Sequence, residues 1–404
     1  MGSRASGQRT GNLLIGQSGG ATAVINASLA GAVQEALRSD QIDGIYGALH
    51  GIEGVLKHQI IDLRQESDES WSRVLATPSA ALGSCRYKLK PEDPARALDV
   101  LRDLNVRYFF YIGGNDSADT AHRLAQAARE SDYHLHVIAI PKTIDNDLPI
   151  TDHCPGYGSA ARFIALATMD SALCTEAIPH HYPVKVIEVM GRDAGWLAAA
   201  SALGKERPED APHLIYTPER PLNRERFLAS VREIYQAVGY VIVVVAETVR
   251  DEQGQALGAT GAQGADAFAH PLLSGTAQHL VELVKAELGL RARFDKPGDL
   301  QRMSSVAISR VDRDEAALAG QMAVRYALQG ISHKMVTLVR QPGPDYACET
   351  GLADLEAIAN AHRLLPDNFL DAAGTGVTQA FYDYALPLIG EPLPLHIRLK
   401  KVLL

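Results

Sequence analysis

The chain has 404 residues, 46% of them apolar, and a formal net charge of −9. That length exceeds one ordinary core and suits two or three packed lobes, while the acidic balance argues against nucleic acid as a bulk partner but not against a small anion met by a local group of Arg and Lys. Four cysteines without CxxC spacing, no run near the roughly 18 apolar residues of a membrane span, and a start (MGSRASGQRTG) without a signal-peptide core point to a reduced, cytoplasmic setting with no membrane partner, and to a disordered tail over residues 1–11.

Asn12 to Gly16 (NLLIG) reads as a strand, followed by the turn Gln17-Ser18-Gly19-Gly20 and a helix from about Ala21 to Arg38. Strand, glycine turn and helix N-terminus form either a phosphate cradle or a plain strand–helix turn. Val106 to Ile112 is a second apolar run, broken by Gly113-Gly114-Asn115-Asp116-Ser117, with a helix to about Glu130. Asp116 or Ser117 would serve as its N-cap, and the paired glycines let the backbone come close to a ligand. Val137 to Asp147 (VIAIPKTIDND) is a buried strand running into a turn that carries Lys142, Thr143, Asp145 and Asp147.

Lys185 to Met190 reads as the next strand, leading into Gly191-Arg192-Asp193-Ala194-Gly195-Trp196 and a helix of small residues. Arg226 to Val238 reads as helix, Tyr240 to Ala246 as strand with Glu247 at its end, Gly254 to Gly264 as a mobile loop, and Ser274 to Leu288 as helix. Arg291 to Met303 reads as basic and irregular, Val306 to Ile308 and Met335 to Val339 as strands, and Pro387, Pro392 and Pro394 exclude regular helix near the end. The repeated order of strand, polar turn and helix indicates parallel sheets with right-handed crossovers.

Five strand ends carry polar residues, four of them beside glycine or proline, at the edge where open α/β sheets bind ligands. Asp145 and Asp147, two apart in an extended turn, either serve a divalent cation and general-base chemistry or divide into a turn cap and a surface ion pair. Lys142 suits phosphate as well as a solvated surface. Arg86, Arg192, Arg293 and Arg302 stand in polar or irregular segments, where each is either a bidentate phosphate ligand or a solvated arginine. His180-His181 lacks a third metal ligand at a recognisable spacing and reads as loop, and Trp196 and Phe163 read as core.

LIGQSGG (Leu14 to Gly20), GSCRY (Gly83 to Tyr87), GGNDS (Gly113 to Ser117), PKTIDND (Pro141 to Asp147), MGRDAGWLA (Met190 to Ala198) and LQR (Leu300 to Arg302) occur in an order and a form that resemble the phosphofructokinase family, over about residues 12 to 310. The resemblance implies an α/β fold of two Rossmann-like three-layer lobes, mostly parallel sheets facing a central cleft. It divides them as a donor lobe, 12–156 with part of 301–350, and a sugar-phosphate lobe, 157–300 with part of 351–404. It implies phosphoryl transfer to O1 of fructose 6-phosphate in glycolysis or gluconeogenesis, with Mg2+ as cofactor. Asp145 is then the base, with Lys142, Asp116 and Arg86 beside it in the catalytic set, Arg86 spanning the transferred group. Gly19, Gly20 and Lys142 hold the donor's phosphates, and Asn115 and Asp147 face the metal. Thr143, Ile144, Met190, Gly191, Arg192, Glu247 and Arg302 contact the sugar phosphate. Arg293 is the arginine lent by a neighbouring subunit, which implies a homodimer or homotetramer.

In this family, ATP users carry glycine at the positions of Asp116 and Lys142, and pyrophosphate users carry Asp and Lys, as here. Unit charges about 4 Å apart at an effective dielectric of about 20 differ by roughly 4 kcal/mol, so a carboxylate placed where an α-phosphate would lie disfavours a nucleotide. An ammonium in the other slot meets the charge that builds on a leaving phosphate. The implied donor is pyrophosphate and the implied reaction reversible; the alternatives are ATP as donor, sedoheptulose 7-phosphate or another sugar phosphate as acceptor, or an inactive metabolite sensor. Three positions depart from the family pattern. Asn115 replaces an aspartate, Asp299 stands where ATP users have a histidine against the sugar phosphate and is expected to point away, and Pro183 replaces a second inter-subunit arginine for which Lys185 is the substitute on hand.

Overall fold

The computed structural model of the chain describes residues 10–258 and 275–400. The tail expected over residues 1–11 lies almost wholly outside them, and so does the second half of the loop expected at 254–264.

Among the described residues eleven strands run in chain order: β1 (Gly11–Gln17), β2 (Ile42–Ala48), β3 (Ile60–Asp62), β4 (Val106–Gly113), β5 (His136–Pro141), β6 (Val184–Val189), β7 (Leu214–Tyr216), β8 (Val241–Ala246), β9 (Ala292–Asp295), β10 (Lys334–Arg340) and β11 (Cys348–Asp354). They form two sheets. The larger has the order β11-β10-β5-β4-β1-β2-β3, parallel except at its two outer pairs, β10–β11 and β2–β3. The smaller has the order β7-β8-β6-β9 and is parallel throughout. This is the mixed α/β, two-sheet architecture expected.

The runs that read as strands do so because parallel sheets covered by helices on both faces need continuous apolar sequence. All six residues of β8 (VIVVVA) are buried, and β4 (VRYFFYIG) is buried except at Arg107. The faces of the larger sheet pack against residues drawn from Leu13 to Cys154 and again from Ala319 to Ile358. The smaller sheet's core draws on Ile144 to Ala292 and on Leu365 to Ile389. The chain therefore passes between the two cores more than once.

Four local expectations are corrected. The helix after the first glycine turn spans Ile25–Ala36 and starts five residues past Gly20, because Thr22 to Val24 form a bend closed by Val24 N donating to Thr22 Oγ1 (3.4 Å). The helix Asn115–Glu130 has Gly114 at its N-cap, so Asp116 and Ser117 lie inside its first turn. Residues 291–303 are not irregular throughout: they contain β9, held by β6, and the short helix Leu300–Met303. Ser305–Ala307 is a 3-10 turn, not a strand. Near the end a 3-10 turn at Pro387–Ile389 is followed by chain without regular structure to residue 400, as the prolines require.

Candidate active site

The carboxyl ends of β1, β4, β5, β6 and β8 converge on one cavity of about 230 Å³. Gly19, Gly20, Arg86, Asn115, Asp116, Lys142, Thr143, Ile144, Asp145, Asp147, Met190, Arg192, Glu247 and Arg302 line it. Thr22, Gly114, Ser117 and Asp299 line it as well and were not singled out as ligands from the sequence. Gly191 and Arg293 are absent from the lining.

The turn after β1 is shaped by its neighbours. Gly19 holds φ +77°, a conformation that costs glycine nothing. Its N–H donates to Cys85 O (3.0 Å) and its carbonyl accepts from Ser84 Oγ (2.6 Å). The GSCRY segment is thereby tied to the turn and Arg86 brought to the cavity. The Gly19 N–H is consumed in that tie, and the following helix starts too late to aim its dipole at this turn, so the simple cradle expected of strand, glycine turn and helix is only partly present. Instead Gly20 O accepts from Lys142 Nζ (2.8 Å), which sets an ammonium in the turn. The helix end that does face the cavity is that of Asn115–Glu130, whose first turn carries Asp116.

The turn after β5 is not extended. Asn146 adopts φ +55°, and its side chain is pinned by Cys154 N (2.9 Å) and by Tyr384 Oη (2.8 Å). That left-handed residue carries the chain round so that Asp145 and Asp147 both line the cavity. Asp145 N donates to Thr143 Oγ1 (3.1 Å), and Arg192 Nε stands 3.9 Å from Asp145 Oδ2. Burial pushes the Asp145 carboxyl up to about 6, the Asp147 charge adding to the rise and Arg192 and Lys142 opposing it. Burial also pulls the Lys142 ammonium down to about 7, against the attraction of Asp145 and with the repulsion of Arg302, Arg86 and Arg192. Glu247, at the end of β8, is raised by burial to about 7, with Asp145 adding to it. Asp145, Lys142 and Glu247 thus line one cavity with pKa values displaced toward neutrality, an arrangement suited to proton transfer.

On the other wall, Arg192 holds φ +50° in a turn closed by Ala194 N donating to Gly191 O (3.0 Å) and by Thr248 Oγ1 donating to Arg192 O. Gln301 Oε1 accepts from Met190 N (3.0 Å) and so fixes the LQR helix to the end of β6. Asp299 does not point away. It lines the cavity, and its Oδ1 accepts from Arg302 Nη2 (2.5 Å), giving an internal carboxylate the arginine expected to meet the sugar phosphate. Lys185 is not a substitute for an inter-subunit arginine: it is buried and bonded to Asp295 Oδ2 (3.2 Å) and Ser171 O (3.4 Å). Arg293, on edge strand β9, lies over the Tyr182 ring at 3.8 Å, outside the cavity of its own chain.

Residues 360–365 form a strap over the site that was not anticipated from the sequence. Arg363 lies over the Trp196 ring at 4.6 Å and donates to Asn146 O (2.8 Å), Thr151 O (2.6 Å) and Asp152 O (2.6 Å). Leu365 N donates to Glu219 Oε1 (2.8 Å), which also accepts from Gly195 N (2.8 Å). The ring of His362 touches both Asn115 and Asp147. No motif spacing signals these contacts, because the residues are 146 to 247 positions from their partners.

A family model described as phosphofructokinase matches residues 12–327. The chain belongs to the phosphofructokinase family. Two phosphofructokinase relatives named pyrophosphate–fructose 6-phosphate 1-phosphotransferase match nearly end to end. That of Xanthomonas campestris pv. campestris (strain B100) is 41% identical, over 97% of this chain and 97% of the relative. That of Rhodospirillum rubrum is 42% identical, over 96% of this chain and 97% of the relative. Among solved phosphofructokinase structures, the pyrophosphate-dependent enzyme of Marinobacter aquaeolei superposes with a TM-score of 0.86 at 38% identity, covering 97% of this chain and 95% of that one.

Proposed function

We propose that this chain catalyses the reversible transfer of a phosphoryl group from pyrophosphate to O1 of fructose 6-phosphate, giving fructose 1,6-bisphosphate and phosphate. One observation carries the choice of donor: Lys142 sits in the glycine turn through its bond to Gly20 O, and the Asp116 carboxylate lines the same cavity. The names of the near-full-length relatives agree with it.

In the forward direction Asp145 takes the proton of the O1 hydroxyl, O1 bonds to the transferred phosphorus, and the bridging P–O bond breaks with its electron pair leaving on phosphate. Arg86 and Lys142 meet the charge on the transferred and leaving groups; Thr143, Ile144, Met190, Gly191, Arg192, Glu247 and Arg302 hold the sugar phosphate. The protein's work is positioning and charge stabilisation, as phosphoryl transfer requires. The donor set fits a hard divalent cation: Asp147 is a buried carboxylate on the cavity wall, and among the described residues no three His, Cys, Asp or Glu side chains enclose an ion by themselves. Magnesium held by Asp147 and by the donor's own oxygens matches that arrangement and would supply charge neutralisation between the phosphates. We assign the donor lobe to residues 12–156 with part of 301–350, and the sugar-phosphate lobe to 157–300 with part of 351–404. A cytoplasmic location fits the four free cysteines; among the described residues no helix is long and apolar enough to cross a membrane.

The test is an assay of pure protein with fructose 6-phosphate, Mg2+ and either pyrophosphate or ATP. Bisphosphate forms with pyrophosphate, and Asp145→Asn lowers kcat by about 10²–10⁴. Turnover with ATP and none with pyrophosphate would overturn the donor assignment.

A further inference from the structure

We propose that His362 orients the Asp147 carboxylate for the divalent cation. The proposal rests on the function proposed above and concerns a segment beyond the residues that the family model matches.

His362 Nδ1 lies 3.2 Å from Asp147 Oδ2. Asn115 Nδ2 lies 3.0 Å from His362 Nδ1 and 3.3 Å from Nε2. The proton positions follow from the two ends of this chain of contacts. Asn115 Oδ1 accepts from Asp116 N (2.9 Å), so its amide nitrogen faces the ring and can only donate. Asp147, as a carboxylate, can only accept. The ring therefore donates to Asp147 through Nδ1–H, while the Asn115 amide lies against the ring, nearer to Nδ1 than to Nε2.

The strap makes His362 a fixed part of the wall. Arg363 N donates to Asp147 O (2.7 Å), so the residue after His362 is tied to the backbone of the same aspartate. Asn360 Nδ2 donates to Asp119 Oδ1 (3.2 Å) on the helix that Asn115 begins. Partners that hydrogen-bond a metal-binding carboxylate fix its orientation, and their loss lowers metal affinity about 10- to 100-fold.

The experiment measures Mn2+ retention by electron paramagnetic resonance, with pyrophosphate present and no sugar phosphate, so that no turnover occurs. His362→Ala is expected to weaken Mn2+ binding about tenfold or more, with KM for fructose 6-phosphate within about twofold of the parent. His362→Gln, which keeps a donor, recovers part of the loss. Unchanged Mn2+ binding in His362→Ala overturns the proposal. If the parent protein holds no Mn2+ with pyrophosphate, the proposed function fails and not merely the role of His362. Half of the His362 side chain is exposed, so its removal leaves the fold intact, which a thermal melt confirms.

Discussion

Lys142 is an ammonium with its side chain buried, held by one backbone carbonyl and surrounded by arginines. Its place on the cavity was legible from PKTIDND, but its competition with three guanidinium groups was not, since those come from turns far apart in sequence. That competition sets a pH dependence. Asp145 acts as base only when deprotonated, above about 6, and Lys142 offers charge only when protonated, below about 7. The kcat/KM for pyrophosphate should fall as pH drops below the first value and as it rises above the second. In Lys142→Arg the alkaline limb should move beyond the assayed range, because a guanidinium does not titrate there. Lys142→Gly should lower kcat with pyrophosphate by about 10²–10³ and leave sugar-phosphate affinity within about threefold; equal losses in both would remove Lys142 from the leaving group. Asp299 supplies a second prediction. Its carboxylate occupies Arg302 from within the cavity, so Asp299→Asn should lower KM for fructose 6-phosphate, by about two- to fivefold given that the side chain is two-thirds exposed and screened. A raised KM would mean that Asp299 positions Arg302 and does not compete for it.

Between elements, legibility followed the source of each element's stability. β4, β5 and β8 carry their own apolar runs and could be read directly. β11 (CETGLAD) has no such run; it exists because β10 offers it a full antiparallel ladder. β2 (IDGIYGA) is broken by two glycines and is recruited by β1. The helices Tyr157–Ala177 and Arg310–Leu328 are rich in small residues, and packing, more than an amphipathic stripe, fixes them. The second of these shows how tight that packing is. It crosses the helix Ile25–Ala36 so closely that a Cβ on Gly31 would lie 2.1 Å from Ala317 O, and one on Gly320 would lie 2.0 Å from Ser28 O. Each contact is with backbone, which cannot rotate away. Alanine gains about 1 kcal/mol over glycine in helix propensity, yet here it must push the helices apart. Gly31→Ala and Gly320→Ala should each lower unfolding free energy by about 1–3 kcal/mol in urea titrations. A stabilised variant would show that the two helices separate freely.

At the scale of the whole molecule, the cavity as one chain builds it lacks Arg293. Its guanidinium rests on Tyr182 at the edge of the smaller sheet, and Tyr182 and the neighbouring Phe294 are each about two-fifths exposed. We infer that this edge meets a second copy and that Arg293 enters the partner's cavity, a contribution that the family resemblance implied and that no feature within one chain could reveal. Arg293→Ala should then raise KM for fructose 6-phosphate, and Asp145→Asn should abolish turnover. Mixing the two variants under conditions that exchange subunits discriminates between own-chain and partner contributions. In a mixed dimer one cavity has an intact Asp145 from its own chain and an intact Arg293 from its neighbour, and the other cavity lacks both. Random exchange makes half of the dimers mixed, so activity at low sugar phosphate should recover to roughly one quarter of the parent's. If Arg293 served its own chain's cavity, every cavity in the mixture would lack one group or the other and no recovery would occur.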